Sequence, residues 1–397
     1  MGKSEVQYFR LGHFIERIDR RNSEHLFGLD DIRGVSNTKE LMPTKANMNG
    51  RNFSPFQILL PEEFVFNRRT TRNGERIGLG MNKDSRPYIL TEDYVLFAIK
   101  KDAGLLPIYL YLFFCRDEFD RYVRYHSWGS ATEFFNWEDM CEVMIPIPCI
   151  DGNPDTKRQQ EIVDVWQGLR TMKEQNEQQA EPLFQLCRSY MERLKQDYDF
   201  VEIGQYIEPV DERNASNLRL NVYGINKTKS FMPTVADMEG VDIRKYKLVK
   251  QSDFAFSGMQ TGRDECIRIA LYAQNKMILV SPAYITFRIK EEKKDVLIPD
   301  YILLSFKRSE MDRYGWFISD SSVRANLDWS RFLAIKIPLP PIDVQRAIVN
   351  IYHCAEEAKR IAEEADRLSR EICPALMQHI IHEADCGNHK DAGRLCY

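Results

Sequence analysis

No stretch of the sequence is apolar for long enough to cross a bilayer. The longest nearly apolar run, Gly104 to Cys115, falls far short of the ~20 residues that a spanning helix needs. The first residues, Met-Gly-Lys-Ser-Glu-Val-Gln, lack the apolar core of a secretory signal. Nine cysteines are present (Cys115, Cys141, Cys149, Cys187, Cys266, Cys354, Cys373, Cys386, Cys396), odd in number, scattered, and never as C-x-x-C. That pattern argues against a disulfide framework or a structural zinc site and for a reducing compartment. Signatures of chemistry are missing too: there is no G-x-x-x-x-G-K-[ST] loop, no G-x-S-x-G, and no Asn/Asp-Pro-Pro-Tyr/Phe of the amino-methyltransferases. Pro154-Asp155 and Pro299-Asp300 lack the acidic-x-Lys that would complete a metal-dependent nuclease, and His379, His382, Cys386 and His389 match no standard zinc spacing. The expectation is a soluble, cytoplasmic chain that is not an enzyme and holds no metal or cofactor of its own.

What is present is ample core material: hydrophobic residues make up 43% and aromatics 11% of 397 residues, enough for two or three packed domains. The net charge of -4 selects no partner, because a nucleic-acid binder needs a basic face and not a basic composition. The informative feature is an internal repeat of about half the chain. Leu41-Met-Pro-Thr-Lys-Ala-Asn-Met-Asn-Gly50 returns as Phe231-Met-Pro-Thr-Val-Ala-Asp-Met-Glu-Gly240, and Leu11-Gly-His-Phe-Ile-Glu16 as Ile203-Gly-Gln-Tyr-Ile-Glu208. Phe64-Val-Phe66 matches Phe254-Ala-Phe256, Arg76-Ile-Gly-Leu79 matches Arg268-Ile-Ala-Leu271, and Trp137 falls on Trp329. Both halves leave by one exit, Ile145-Pro-Ile-Pro148 and Ile337-Pro-Leu-Pro340, followed by Gln159-Gln-Glu-Ile-Val163 and Gln345-Arg-Ala-Ile-Val349. An ordered series of this kind is a duplication.

Each repeat begins with short β-branched and aromatic runs, such as Tyr94–Ile99 and Tyr284–Ile289, punctuated by Pro, Gly and Asn. It ends in a long polar segment rich in Glu, Lys, Gln, Arg and Ala, which predicts a helix. In the second helix Ile348, Ile351, Ala355, Ala358, Ala362, Ala365, Ser369 and Ile372 alternate spacings of three and four, the seam of a two-stranded coil. In the first, Ile162, Val165, Leu169, Met172 and Asn176 do the same, and a kink or restart is expected at the equivalent prolines Pro182 and Pro374. The fold expected is α+β: two similar mixed α/β domains separated by two long antiparallel coiled-coil helices, with an internal pseudo-two-fold. Its boundaries are a first domain at 1–150, a first helix at 151–199, a second domain at 200–341, a second helix at 342–385 and a flexible tail at 386–397. Each helix packing only on its own domain is the plainer alternative; eight seam positions exceed an ordinary amphipathic helix.

A paired helix of about 40 residues spans roughly 60 Å, enough to set two domains on one face of a duplex a little more than a turn apart, on the order of 34–45 Å. Such a ruler implies a split DNA site with an unread spacer. Charge is divided accordingly. Residues 155–197 carry eight acidic and seven basic side chains, and 342–385 carry nine and five, so the globular parts are the less acidic. Within them Arg68, Arg69, Thr71, Arg72, Asn73 and Arg76 crowd one loop, and Gln260, Thr261 and Arg263 occupy its counterpart. Arg and Gln suit phosphates and the edges of G and A. Polar loops at one place with unlike residues are what two readers of different half-sites require. Lys39, Lys229, Arg324 and Asn326 are further DNA-binding candidates; a solvated surface loop is the plainer reading of all of them.

These residues resemble the specificity (S) subunit of type I restriction–modification systems, over nearly the whole chain from about Leu11 to about Glu383. The most specific stretch is Ile337-Pro-Leu-Pro-Pro-Ile-Asp-Val-Gln-Arg-Ala-Ile348, with its partner at Ile145–Pro148 and Gln159–Val163. The resemblance implies two target-recognition domains reading halves of a split site in double-stranded DNA. It implies helices that set the spacer and dock two methyltransferase (M) subunits, with S-adenosylmethionine there, and restriction (R) subunits that use ATP and Mg. It transfers no base-contacting residue, and the longer Cys149 to Thr156 loop departs from the pattern. A coiled-coil scaffold that binds protein, or a stand-alone DNA-modifying enzyme, are the alternatives; the absent motifs weigh against the second.

Overall fold

The computed structural model describes residues 4–44, 46–48, 50–69, 76–129, 133–259, 265–320 and 326–391, with backbone alone at 4, 373 and 383–391. The chain forms two compact units, 1–175 with 361–397, and 176–360.

In the first unit the strands Ile15–Ile18, Tyr94–Ile99, Phe64–Asn67 and Leu79–Met81 form an antiparallel sheet in that spatial order. Ser4–Arg10 pairs with Met144–Ile150, the strand that carries Ile-Pro-Ile-Pro. Helices α1 (Pro107–Phe114), α2 (Asp117–Tyr125) and α3 (Trp137–Glu142) follow the sheet. The core between them is aromatic: Phe64 stacks on Phe97 at 5.0 Å, and Phe114 and Phe119 close on each other at 4.7 Å. Proline at the start of α1 supplies a pre-set φ where its missing N–H costs nothing.

The second unit repeats the plan. Ile207–Val210, Ile285–Ile289, Phe254–Ser257 and Arg268–Leu271 form the equivalent sheet, and Phe200–Glu202 pairs with Lys336–Pro338. After α4 (Thr156–Asp197) come α5 (Pro299–Phe306), α6 (Ser309–Phe317) and α7 (Trp329–Leu333), then α8 (Ile342–Asp391). Phe254 stacks on Phe287 at 4.7 Å, and Trp137 and Trp329 pack on Phe97 and Phe287 at 5.8 and 5.5 Å. The two sheets share one register, since Phe64 faces Met81 and Phe254 faces Leu271. Ile77 therefore corresponds to Ile267, and the match of Arg76–Leu79 with Arg268–Leu271 read from the sequence is displaced by two residues.

The duplicated exit has a physical reason. The Tyr109 hydroxyl donates to the Pro146 carbonyl at 2.8 Å, and Tyr301 donates to Pro338 at 2.8 Å; burial pushes both phenols above their usual range. Gln159 is fully buried, accepting from the Leu106 N–H at 2.9 Å and donating to the Gly104 carbonyl at 2.8 Å. Gln345 repeats this with the Ile298 N–H at 3.1 Å and the Val296 carbonyl at 2.8 Å, and also donates to Pro340 at 2.8 Å. One glutamine thus ties the loop entering α1 or α5 to the first turn of a long helix.

The two long helices are antiparallel and packed together. In the second unit Phe184 meets Tyr352 at 5.7 Å and the Cys187 thiol reaches the Ile348 carbonyl at 3.9 Å, so numbers fall on α8 as they rise on α4. In the first unit Lys173 donates to Asp366 at 2.8 Å. On α8, Ile348, Ala355, Ala358, Ala362 and Ala365 are buried and Ile351 is half-buried. On α4 two of the five expected seam residues are corrected. Ile162 is buried and Leu169 and Asn176 are half-buried, but Val165 and Met172 are 43% and 46% exposed, and Trp166 and Ala180 are buried instead. Positions three and four beyond a seam residue both border the seam, and hydrophobicity favoured the nearer one. The small Ala180 and Cys187 let the neighbouring backbone approach, and the large Trp166 packs on Tyr111 at 5.9 Å. Neither Pro182 nor Pro374 interrupts its helix, and α8 continues past 385 to Asp391; the rest of the expected tail, 392–397, lies outside the described residues.

Candidate nucleic-acid interface

The strand that ends at Asn67 is followed by Arg68, whose carbonyl accepts from the Phe135 N–H at 2.9 Å. Beside it Trp128 and Phe134 exchange backbone hydrogen bonds at 3.1 and 3.0 Å, and Arg69 bridges to Phe134. The second unit builds the same frame: Leu327 N–H donates to the Gly258 carbonyl at 2.9 Å, and Asp320 N–H to the Asn326 carbonyl at 2.9 Å. At Gly258 a Cβ would fall 1.8 Å from the Leu327 oxygen, so this copy requires glycine where the other has Arg68. A common backbone frame therefore carries two loops of unlike sequence in each unit.

Of the loop residues expected to read DNA, Thr71, Arg72, Asn73, Gln260, Thr261, Arg263 and Arg324 lie outside the described residues. Arg68 is exposed, with its guanidinium 5.7 Å from the Phe134 ring centre, and Arg69 is half-buried. Arg76 is exposed and paired with Asp117 at 3.1 Å, a surface pair of the kind that contributes little to stability. Asn326 is half-buried; its N–H donates to the Asp320 carboxylate at 2.9 Å.

Lys39 and Lys229 are corrections: both ammonium groups are buried and face inward. Each residue sits in a left-handed turn, at φ +64° and +62°. Lys39 donates to the Ile77 carbonyl at 3.0 Å and to Asp120, and the same Asp120 oxygen accepts from the Ile77 N–H at 3.1 Å. Lys229 donates to Ile267 at 3.0 Å and to Asp312 at 2.7 Å, with Ile267 N–H on Asp312 at 2.9 Å. Burial pulls the Lys39 amine below its usual value and the Asp120 carboxyl above its own, each held back by the other's charge. The motif pins a turn and a strand end to α2 or α6. Sequence shows a polar turn lysine and cannot show its buried counter-ion 81 residues away.

Sequence reading passed over the outward face of α2. Tyr125 and Trp128 are 79% and 69% exposed, with Arg121 and Arg124 on the same turns. On α6, Trp316 and Phe317 are 53% and 83% exposed. The alternation Arg121-Tyr-Val-Arg-Tyr-His-Ser-Trp128 was the available signal. A cleft of about 650 Å³ in the second unit, lined by Phe184, Cys187, Tyr352, Lys307 and Arg308 among others, is crossed by ion pairs from α4. Lys195 and Arg308 hold the Glu310 carboxyl down to about 2, with Lys195 the larger influence at 2.9 Å. Among the described residues no group of three or more His, Cys, Asp or Glu is placed to hold a metal, and no helix is long and apolar enough to cross a membrane.

These features define a class: a duplicated mixed α/β unit, each copy with its part of a pair of long antiparallel helices. The chain shares that fold with the S subunit of a type I restriction–modification system from M. genitalium. The TM-score is 0.54 at 11% identity, covering 94% of this chain and 96% of that one. An HsdS subunit from Thermoanaerobacter tengcongensis matches 96% of both chains at 14% identity and TM-score 0.39. A structure concerned with assembly and conformational transition of a type I R-M system matches 97% of this chain and 98% of that one at 13% and 0.41. The last two superpose too loosely to bear on the fold. No family model matches the sequence, and no curated protein matches it.

Proposed function

We propose that the chain is the DNA specificity subunit of a type I restriction–modification complex. It reads a bipartite duplex site with its two domains and docks methyltransferase subunits, and restriction subunits where present, on its long helices. The chain itself performs no catalysis; S-adenosylmethionine, ATP and Mg belong to its cytoplasmic partners. One observation carries the reading: a similar backbone frame in each copy adjoins loops whose sequences differ between the copies, as two readers of unlike half-sites need. Val165 and Met172 in the first unit, and Leu186 and Tyr190 in the second, leave apolar helix surface open, which suits a docked partner.

The test is a methylome. Adenine methylation at a split motif should vanish when the gene is deleted and return on complementation; an unchanged map would refute the reading. Removing one heptad from each long helix should change the spacer and leave both half-sites intact. The loop has its own test. Replacing Arg68 and Arg69 by alanine should flatten the dependence of log K on log salt by about 1.8 if each meets one phosphate. An unaltered slope in a filter-binding titration removes them from the interface.

A further inference from the structure

The duplication preserves more than the core. Arg121-Tyr122-Val123-Arg124-Tyr125 on α2 falls on Arg313-Tyr314-Gly315-Trp316-Phe317 on α6, so an Arg-Tyr-x-x-aromatic sequence stands at the same place in both units. Spacings of three and four put arginine, tyrosine and the final ring on one helix face. Its end points outward in both copies. Tyr125 and Phe317 are 79% and 83% exposed, and Arg121 and Arg313 are exposed as well, while the tyrosine differs: Tyr314 is 44% exposed and Tyr122 is half-buried against the core. Between them Val123 and Gly315 turn inward, Val123 into the core, while a Cβ on Gly315 would strike Ile267 at 2.4 Å. Packing fixes each helix by its inner face and places no demand on the outer rings.

A single exposed ring is ordinary on a protein surface, but exposed aromatic pairs, Tyr125 with Trp128 and Trp316 with Phe317, at corresponding ends of two diverged helices are not explained by either core. Charge says what covers them. The acidic residues of these helices gather in their first turns, Asp117, Glu118 and Asp120, and Glu310 and Asp312, and the rings close their last turns; Arg121 and Arg313 lie between, Arg121 in an exposed surface pair with Glu118 at 3.1 Å that holds it only weakly. Those last turns run into the segments 126–128 and 318–320, which enter the loop frames. A guanidinium beside a flat exposed ring, next to a polar recognition loop, suits a nucleic-acid strand: the cation meets phosphate and the ring lies on a base.

We infer that Tyr125 and Phe317 are stacking contacts for DNA bases, one per half-site, each with its arginine, Arg121 or Arg313, on the adjoining phosphate. The inference rests on the reading proposed above and deepens it. Every base has a π-face, so these rings add affinity without choosing sequence, which remains the task of the loops. Stacking also requires a base step that opens, so duplex should bind more weakly than the same duplex carrying a mismatch.

Photo-crosslinking tests this directly. The full chain is bound to a randomised duplex containing 5-iodouracil, irradiated, and its crosslinked peptides are mapped. Crosslinks are expected at Tyr125 and Phe317. Tyr125→Ala and Phe317→Ala should each remove theirs and weaken binding about tenfold, while Tyr125→Phe and Phe317→Tyr, which keep the ring, should restore both. Unchanged melting temperatures guard against unfolding. Binding at wild-type affinity with no crosslink at either ring overturns the inference and leaves the specificity-subunit reading standing. Absence of any DNA binding by the wild-type chain overturns both. Variants that bind DNA normally but lose co-purifying methyltransferase assign the face to protein docking, and also overturn it.

Discussion

Lys39→Met should destabilise the first unit by about 3–5 kcal/mol, the usual result of leaving one member of a buried ion pair without its counter-ion. The abandoned group is the Asp120 carboxylate, which keeps the Ile77 N–H at 3.1 Å and the weaker attraction of the Arg76 guanidinium. Asp120 already lies above its usual range through burial, and the missing ammonium raises it further. An acid whose folded pKa exceeds its unfolded value destabilises the fold as it ionises. The deficit should therefore be small in acid and grow as pH rises through that raised pKa. Thermal unfolding of wild type and variant across pH reads this out, and Lys39→Met with Asp120→Leu should recover much of the loss. Lys229→Met should act alike in the second unit, because Lys229 and Asp312 are placed in the same way. If Lys39→Met melted like wild type while DNA binding lost salt dependence, the lysine would be a phosphate contact and its buried placement would be wrong.

The second large effect is expected at the glutamines that open the long helices. Gln345→Ala orphans the Ile298 N–H and the Val296 and Pro340 carbonyls, all bonded to one fully buried side chain. An unsatisfied buried polar group costs about 1–3 kcal/mol, and partial relaxation or entry of water recovers some of it, so a net loss of roughly 3–5 kcal/mol follows. Gln159→Ala orphans two groups, Leu106 N–H and Gly104 carbonyl, and should cost less. Gln345→Glu should be worse than alanine, since it replaces the donating amide with an acceptor facing carbonyl oxygens. Hydrogen exchange at Ile298 gives the local readout: its amide should lose protection in the alanine variant, and retained protection would show that the clamp is dispensable.

Legibility followed the range of the physics involved. Where a constraint is periodic or local, the sequence displayed it. The Ile-Pro-x-Pro strands, the prolines that begin α1 and α5, and the alternating apolar spacing of α8 are all patterns within a few residues of one another. The Gln159 and Gln345 repeat was visible as a match, although its role as a clamp was not. Where a constraint joins distant residues, pattern failed. Lys39 read as an exposed cation because its partner, Asp120, lies on another element. Val165 and Met172 read as seam because the choice between the third and fourth position depends on the size of Ala180 and Cys187 and on what Trp166 can reach. The exposed rings of α2 and α6 were passed over because an aromatic residue in a short helix normally signals core.

The sequence by itself determined that the chain is duplicated, that each half opens with a strand-rich domain and closes with a long helix, and that it carries no familiar catalytic motif. Those facts are written in order and spacing, which survive without coordinates. Only the tertiary structure decided which lysines face inward, which flank of α4 meets α8, and which rings remain in solvent. Each of those depends on desolvation and close packing between residues far apart in the chain, and a helix face or a turn lysine has no fixed environment until the fold supplies one.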